Sequence, residues 1–438
     1  MTPCAAPAIR VRWRIFSFLF GFGFLAYIQQ KTITVAADPM MPALGLSQQQ
    51  IGFIEQAFVI GYALFQMPGG VLGQRLGARL TFVVIGLAAF AATLATPIVP
   101  GLLSGTGLFV ALYGAQLVLG LSQGAIFPVS AGVFEAWFPP RRWAFVQGLQ
   151  TMGLNFGLAL TPPLIVTLSL WLGWRQALVW SSIPTLALIA LWAWYGRNTP
   201  REHPSMSAQE LEEIGSAPKA HASISLRQLL PLVANRNVLL LFFSYMCMNY
   251  TFYLLSNWVF LYLVQERHFS ALDSSWLAVA PPLAAAVGAG LGGIATGVLA
   301  QRFGNRWGYR IVPLGAMTSA ALLLLLAVNA SNPYLALTAL SLCFLAVELT
   351  EGPFWGAAML VGEGDSMAVC GFMNTGGNLG GIIGLPIVGY FTQRHDWHTA
   401  FFIGSGFALL SAGAWLAVRL SGSPDTAAAP IAPQAAGA

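Results

Sequence analysis

Charge is what this sequence has least of. Asp, Glu, Lys and Arg make up 8% of its 438 residues, against about a quarter in ordinary soluble domains. So uncharged a surface cannot be solvated, which excludes a soluble globular fold and leaves most of the chain facing lipid or other buried helices. Cysteine is also scarce. Cys4 lies in an N-terminal tail and Cys247, Cys343 and Cys370 lie in apolar segments, none at metal-ligand spacing. This excludes a disulfide framework, and the four read as small buried hydrophobes. No Walker loop, metal-ligand cluster or nucleophile–base pair occurs at a recognisable spacing. Nothing therefore supports ATP-driven pumping, a resident metal or cofactor, or enzymatic catalysis.

What is present is 57% hydrophobic, with 47 glycines, as expected where membrane helices approach closely. Apolar runs of roughly 20 residues recur often enough for about a dozen spans. They cover 13–37, 50–73, 81–99, 106–136, 143–169 and 174–195, then 237–264, 275–300, 309–329, 333–360, 368–392 and 399–419. The first run has a basic flank, but it is longer than a signal-peptide core, so it reads as a first membrane helix. This divides the chain into a six-helix half (1–195), a polar linker (196–236) with a short surface helix around Ser207–Ile214, a second six-helix half (237–420) and an Ala/Pro-rich tail (421–438) expected to be disordered.

Charge placement orients the layout. With the N-terminus inside, sixteen of the 20 Lys and Arg fall on the inner side, and only Arg175, Arg267 and Arg394 on the outer. That bias predicts a cell (inner) membrane protein with both termini cytoplasmic. The net charge of +5 thus reflects orientation signals and implies no nucleic-acid partner.

The two halves repeat. Gly70-Val-Leu-Gly-Gln-Arg-Leu-Gly-Ala-Arg79 and Gly297-Val-Leu-Ala-Gln-Arg-Phe-Gly-Asn-Arg306 share seven of ten positions at an offset of 227 residues. Leu121-Ser-Gln-Gly124 pairs with Leu349-Thr-Glu-Gly352, and Gly148, Gly153, Asn155 and Gly157 pair with Gly371, Gly376, Asn378 and Gly380. A duplicated membrane half is the mark of a carrier.

The first repeat copy resembles the inner-loop motif of the major facilitator superfamily. That resemblance implies an all-α fold of twelve transmembrane helices in two pseudo-symmetric halves around a central cavity. It gives Gly70, Arg75, Gly77 and Arg79, with their mates Gly297, Arg302, Gly304 and Arg306, a role in gating and packing; Gln74 replaces the usual acid. Phe65-Gln-Met-Pro-Gly-Gly70, Phe127-Pro128, Trp137-Phe-Pro-Pro140, Gly173-Trp-Arg175 and Gly371-Phe-Met-Asn-Thr-Gly-Gly-Asn-Leu-Gly-Gly381 resemble its anion:cation symporter branch, which includes sugar-acid and organic-anion carriers. Members typically carry an Asp–Arg pair in helix 1 and an Arg and a Glu in helix 4. The corresponding positions here are Gln29, Gln30, Gln116 and Gln123, none of which titrates.

Charges that remain inside membrane helices cost roughly 2.5–3.5 kcal/mol each on insertion scales and need a reason. Glu348 and Glu351 lie three apart in the middle of helix 10, and Glu351 is the repeat mate of Gln123. They are the proton-coupling candidates, a carboxylate site moved to the symmetry-related helix; the bland alternative is a permanent bond to a neighbouring helix. Lys31 and Glu55 lie at similar depth in helices 1 and 2, as a salt bridge or, for Lys31, an attractor of anions. Polar stripes converge on the same cavity: Gln116 and Gln123, then Gln147, Thr151 and Asn155, then Asn249, Tyr253 and Asn257, then Asn374 and Asn378. They suit a polar solute or serve as helix–helix glue, while Trp355 could stack on a sugar ring or simply pack. The expectation is a monomeric secondary transporter of a small polar solute, an organic or sugar acid, with protons as the coupling ion. The alternatives are an uncoupled facilitator or carrier of a neutral solute, and a transporter-like membrane sensor.

Overall fold

In the computed structural model, residues 10–215, 226–267 and 277–420 are described; Cys4, Lys219 and the expected tail lie outside them. Among these residues every regular element is a helix. The first half comprises α1 (Val11–Leu44), α2 (Gln48–Leu76), α3 (Ala78–Ile98), α4 (Gly105–Gly124), α5 (Ile126–Trp137), α6 (Trp143–Leu172) and α7 (Trp174–Tyr195). Two short linker helices follow, α8 (Ala208–Ile214) and α9 (Leu226–Val233). The second half comprises α10 (Arg236–Gln265), α11 (Ala280–Asn329), α12 (Pro333–Glu348), α13 (Glu351–Val361), α14 (Ser366–Thr392) and α15 (Trp397–Ala417).

Twelve membrane crossings emerge once three local features are read. The 50-residue α11 is two spans, interrupted where Gly304 leaves helical geometry at φ 73, ψ 165. Its repeat mate Gly77 stands at φ 78, ψ 151 between α2 and α3. Both conformations belong to a region essentially reserved for glycine, so the repeat preserves a backbone geometry. Secondly, α4 and α5 form one span broken at Ala125, and α12 and α13 one span broken at Leu349 and Thr350. Each broken span carries a proline, Pro128 or Pro353, in the first turn after the break, where its missing N–H costs least. Thirdly, α2 and α14 fall outside the nine stretches among the described residues that are long and apolar enough by themselves. Glutamine in one and a Gly/Asn-rich run in the other dilute their hydropathy.

The halves meet along glycines. Gly148 on α6 lies against the Ala289 carbonyl and the Gly293 backbone of α11. Its symmetry mate Gly371 on α14 lies against Gln66 and Met67 of α2, where a Cβ would come within 2.7 Å of a carbonyl oxygen. Gly352 on α13 similarly faces Ala144 on α6. These contacts lie towards the face that carries the linker, here called the terminal face. Large apolar side chains such as Leu64, Leu170, Trp171, Trp194 and Leu322 are exposed on the outside of the bundle, as a lipid-facing surface requires.

The linker docks on the first half. Ser207 caps α8, and Glu210 accepts hydrogen bonds from the backbone N–H groups of Val11 and Arg12, both at 3.1 Å. Glu213 pairs with Arg10 and, at 2.6 Å, with buried Arg12. A carboxylate over the free N–H groups of a helix start satisfies orphan donors and favours the helix dipole.

Candidate functional site

Polar side chains concentrate between the halves in three connecting spaces. On the face opposite the linker, a vestibule of ≈ 560 Å³ is lined by Gln30, Lys31, Glu55, Gln116, Asn257 and Asn378, among others. A neck bounded by Tyr27, Lys31, Tyr62, Tyr253 and Asn378 leads inward. At the bottom is a small chamber of ≈ 50 Å³ around Thr151, Asn249, Glu348, Glu351, Trp355 and Asn374. Volume is thus greatest at the open face, while glycine-mediated backbone contact closes the terminal face. The arrangement is open on the face away from the linker.

The helix-10 break builds the chamber's chemistry. Glu348 ends α12 and Glu351 opens α13, so the two carboxylates flank the discontinuity, and both are buried. Broken helices at mid-membrane are typical of carrier sites. Glu351 is held entirely by its own half: the Tyr245 hydroxyl donates to Oε1 at 3.0 Å and the Trp355 indole N–H to Oε2 at 2.8 Å. Glu348 is held by the other half, accepting from Asn155 Nδ2 on α6 at 2.7 Å. Among the described residues no cation forms an ion pair with either. Two buried carboxylates satisfied only by neutral donors are costly when both are charged, and a proton relieves that cost.

The four glutamines take two different positions. Gln123 donates to Gln29 at 3.1 Å, and Gln29 donates to Thr185 at 3.0 Å, a buried amide chain inside the first half. Gln30 and Gln116 line the vestibule, and the buried Gln116 Oε1 has no partner. Lys31 and Glu55 both line the vestibule too, but no ion pair within 4 Å joins them among the described residues. Asn249, Tyr253, Trp355, Asn374 and Asn378 all line the chamber. Across the halves, Asn374 donates to Gln66 Oε1 at 2.6 Å, while the Tyr253 hydroxyl donates to Asn378 Oδ1 at 3.3 Å within the second half.

The repeat residues occupy the terminal face. Gly70 packs on the Met367 carbonyl, and Arg79 caps the end of α7, its Nε donating to the Ala193 carbonyl at 3.2 Å. Arg75, Arg302 and Arg306 lie at the exposed surface, and Gly297 and Gly304 are half-buried beside them. The capping bond equivalent to that of Arg79 is made one turn beyond Arg306, where Arg310 donates to the Val418 carbonyl at the end of α15. Gln74 donates to Asp365 at 3.2 Å. Beside it Glu135, at the end of α5, accepts from the Gly364 N–H at 2.7 Å and from the Ser366 hydroxyl. Spacing singles out Tyr253 but not Glu135, Arg310 or the other chamber tyrosines, Tyr27, Tyr62 and Tyr245. Tyr245 extends the Asn249–Tyr253 stripe by one turn, and Tyr27 precedes Lys31 by one turn, so a longer register would have found both.

Twelve membrane helices in two repeat-related halves, meeting at a polar chamber that opens on one face only, define a membrane transporter of the alternating-access type rather than an enzyme. The Major Facilitator Superfamily profile matches residues 19–363, and the chain belongs to that family. It is 28% identical to a probable sulfoacetate transporter of Cupriavidus necator, over 93% of each chain. It is 27% identical to the hexuronate transporter of Bacillus subtilis, over 90% of this chain and 91% of that one. Among solved structures it is similar to the transporter FucP in its outward conformation, with a TM-score of 0.73 and 16% identity over 94% of this chain and 100% of that one. That last likeness speaks for the fold alone.

Proposed function

We propose that this protein is a proton-coupled carrier of a small organic or sugar acid, acting as a monomer in the cell (inner) membrane. The excess of Lys and Arg on the terminal face supports cytoplasmic termini. The division into halves at 1–195 and 237–420, with 196–236 as a docked cytoplasmic linker and 421–438 as a tail, follows from the same layout. The names of the sulfoacetate and hexuronate transporters support an acid as solute, and Lys31 in the vestibule supplies a positive charge on its way in. Glycines of the two repeat copies and their arginines serve the inner gate.

The carrying observation is the pair of acids at the helix-10 break, one clamped by its own half and one bonded across the halves. A proton on this pair removes the repulsion that an incoming anion would meet, so solute and proton enter together. The test is uptake into proteoliposomes with and without an inward proton gradient. Concentrative uptake of an acid, lost in Glu351→Gln while exchange persists, is expected; an unchanged pH profile in that variant would overturn proton coupling through Glu351.

The amide chain Gln123–Gln29–Thr185 favours a second reading, an uncoupled carrier of a neutral solute, because the first half contributes no titratable group there. Uptake that only equilibrates, indifferent to the gradient, identifies it.

A further inference from the structure

The lining of the three spaces has a lopsided inventory. Lys31 is its only cation among the described residues; Glu55, Glu348 and Glu351 are acids. Part of the donor capacity is already used inside the protein. The Tyr245 and Tyr253 hydroxyls already donate within the protein, as do the amides of Asn249, Asn374 and Asn378. Besides the carboxylates, two buried amide oxygens are left unpartnered, Gln116 Oε1 on the vestibule and Asn155 Oδ1 beside Glu348. Aromatic rings complete the wall: Tyr27, Tyr62, Phe127, Tyr245, Tyr253 and Trp355. Carboxylates with neutral partners only, unpartnered amide oxygens and aromatic faces are together surroundings that bind an ammonium group.

We propose that the solute is zwitterionic, an acid that also bears an ammonium group. The ammonium sits in the chamber against Glu351, Glu348 and the aromatic wall, and the anionic group lies towards Lys31. Tyr27 in the chamber and Lys31 in the vestibule are one helical turn apart on α1, about 6 Å along the axis, which matches the span of a small zwitterion. This inference rests on the transport reading above and narrows its solute class. It also gives the second half a substrate contact that an acid without an amine would lack.

The test uses compounds that differ only in the amine: taurine against isethionate, and glucosaminate against gluconate. Binding to the purified full-length protein is read by quenching of tryptophan fluorescence and by thermal shift, then by proteoliposome uptake. The expected result is that at least one amine-bearing member binds about tenfold or more tightly than its partner, and that Glu351→Gln erases the preference. Lys31→Gln should weaken both members of that pair alike and keep the preference, which separates a local role of Glu351 from misfolding. Equal or tighter binding of the members without an amine overturns the inference, as does binding of neither amine-bearing compound. Gradient-driven uptake of gluconate or isethionate without amine preference sinks the zwitterion alone. An amine preference with uptake indifferent to the gradient sinks the proton coupling alone.

Discussion

In the proposed orientation, a methyl group added at Gly148 should tip the carrier away from its outward-facing state. In that state the position of its Cβ falls on the Ala289 carbonyl and within 3.2–3.3 Å of the Gly293 Cα and N. These atoms are backbone of α11, so no rotamer change relieves the clash and α6 and α11 must separate. Overpacking of this kind costs about 1–3 kcal/mol. Inward opening parts the halves at this face, so the cost falls mainly on the outward state, and the outward-to-inward ratio should drop by about 5- to 150-fold. Gly371→Ala, the symmetry mate, meets Gln66 O at 2.7 Å and Met67 Cα at 2.9 Å and should act in the same direction. Gly114→Ala, with nothing within 4 Å, is the control.

The assay is double electron–electron resonance between spin labels at Gly101→Cys and Ser331→Cys, exposed positions in loops of the two halves at the open face. The short-distance population should grow in Gly148→Ala and Gly371→Ala and stay unchanged in Gly114→Ala. An unaltered distance distribution in both variants, with the protein folded, would refute the claim that these glycines set the balance between states.

Three further outcomes follow from the terminal face. Glu210→Ala leaves the first N–H groups of α1 without their acceptor and should cost about 1–3 kcal/mol, seen as a lower Tm that Gln209→Ala does not reproduce. The hydrogen bond from Arg12 holds the Glu213 carboxyl below its ordinary value of 4.5. Its contribution to linker docking is therefore complete above the unfolded value and is lost as pH falls through the lower folded one. Protection factors over Ala208–Ile214, corrected for the intrinsic pH dependence of exchange, should fall only below about pH 4.5, and a fall already at pH 6 would contradict this origin. Gly304→Ala should cost about 1–3 kcal/mol from backbone strain alone, because nothing lies within 4 Å of the added Cβ. Gly77→Ala should cost more, since there a Cβ also meets the Asn198 amide at 2.7 Å; equal losses of Tm would remove the steric part.

The spans were legible because hydrophobic runs and a duplicated register report on burial in lipid, which every residue of a span experiences. The apolar runs at 50–73 and 368–392 include α2 and α14 even though Gln, Gly and Asn lower their hydropathy. The breaks in helices 4 and 10 were present in the sequence as Pro128 and Pro353, at matching places in the two halves, but neither run of apolar residues shows an interruption. Bonds between amides were not legible. Nothing in spacing tells that Gln29 turns to Gln123 and Thr185 while Gln30, one residue on, faces the vestibule. Pairs such as Asn155 with Glu348 join helices nearly 200 residues apart, and their partners are chosen by the packing of the halves. Arg310 illustrates a further limit: the repeat conserves a bond to the end of the sixth helix of each half, but the arginine that makes it has moved by one turn.

That displacement clarifies what duplication conserves, and it applies with more force to the chamber. Position 123 in the first half and position 351 in the second are repeat mates beside breaks in equivalent helices. In one a glutamine joins a buried chain of two amides and a hydroxyl; in the other a glutamate lines the chamber. In the proposed reading the halves share a frame while dividing the chemistry of the chamber, the first lining it with neutral side chains and the second adding the carboxylates. Within the second half the two acids divide the work again. The partners of Glu351, Tyr245 and Trp355, move with it as one body, so its clamp survives any rocking of the halves. The partner of Glu348 belongs to the opposite half, so rocking must stretch or break that bond. A charge change at Glu348 therefore alters the energy of closure directly, whereas one at Glu351 alters first what the chamber can hold. Coupling between solute and conformation needs both kinds of group within reach of each other, and the break after Glu348 is what brings them together.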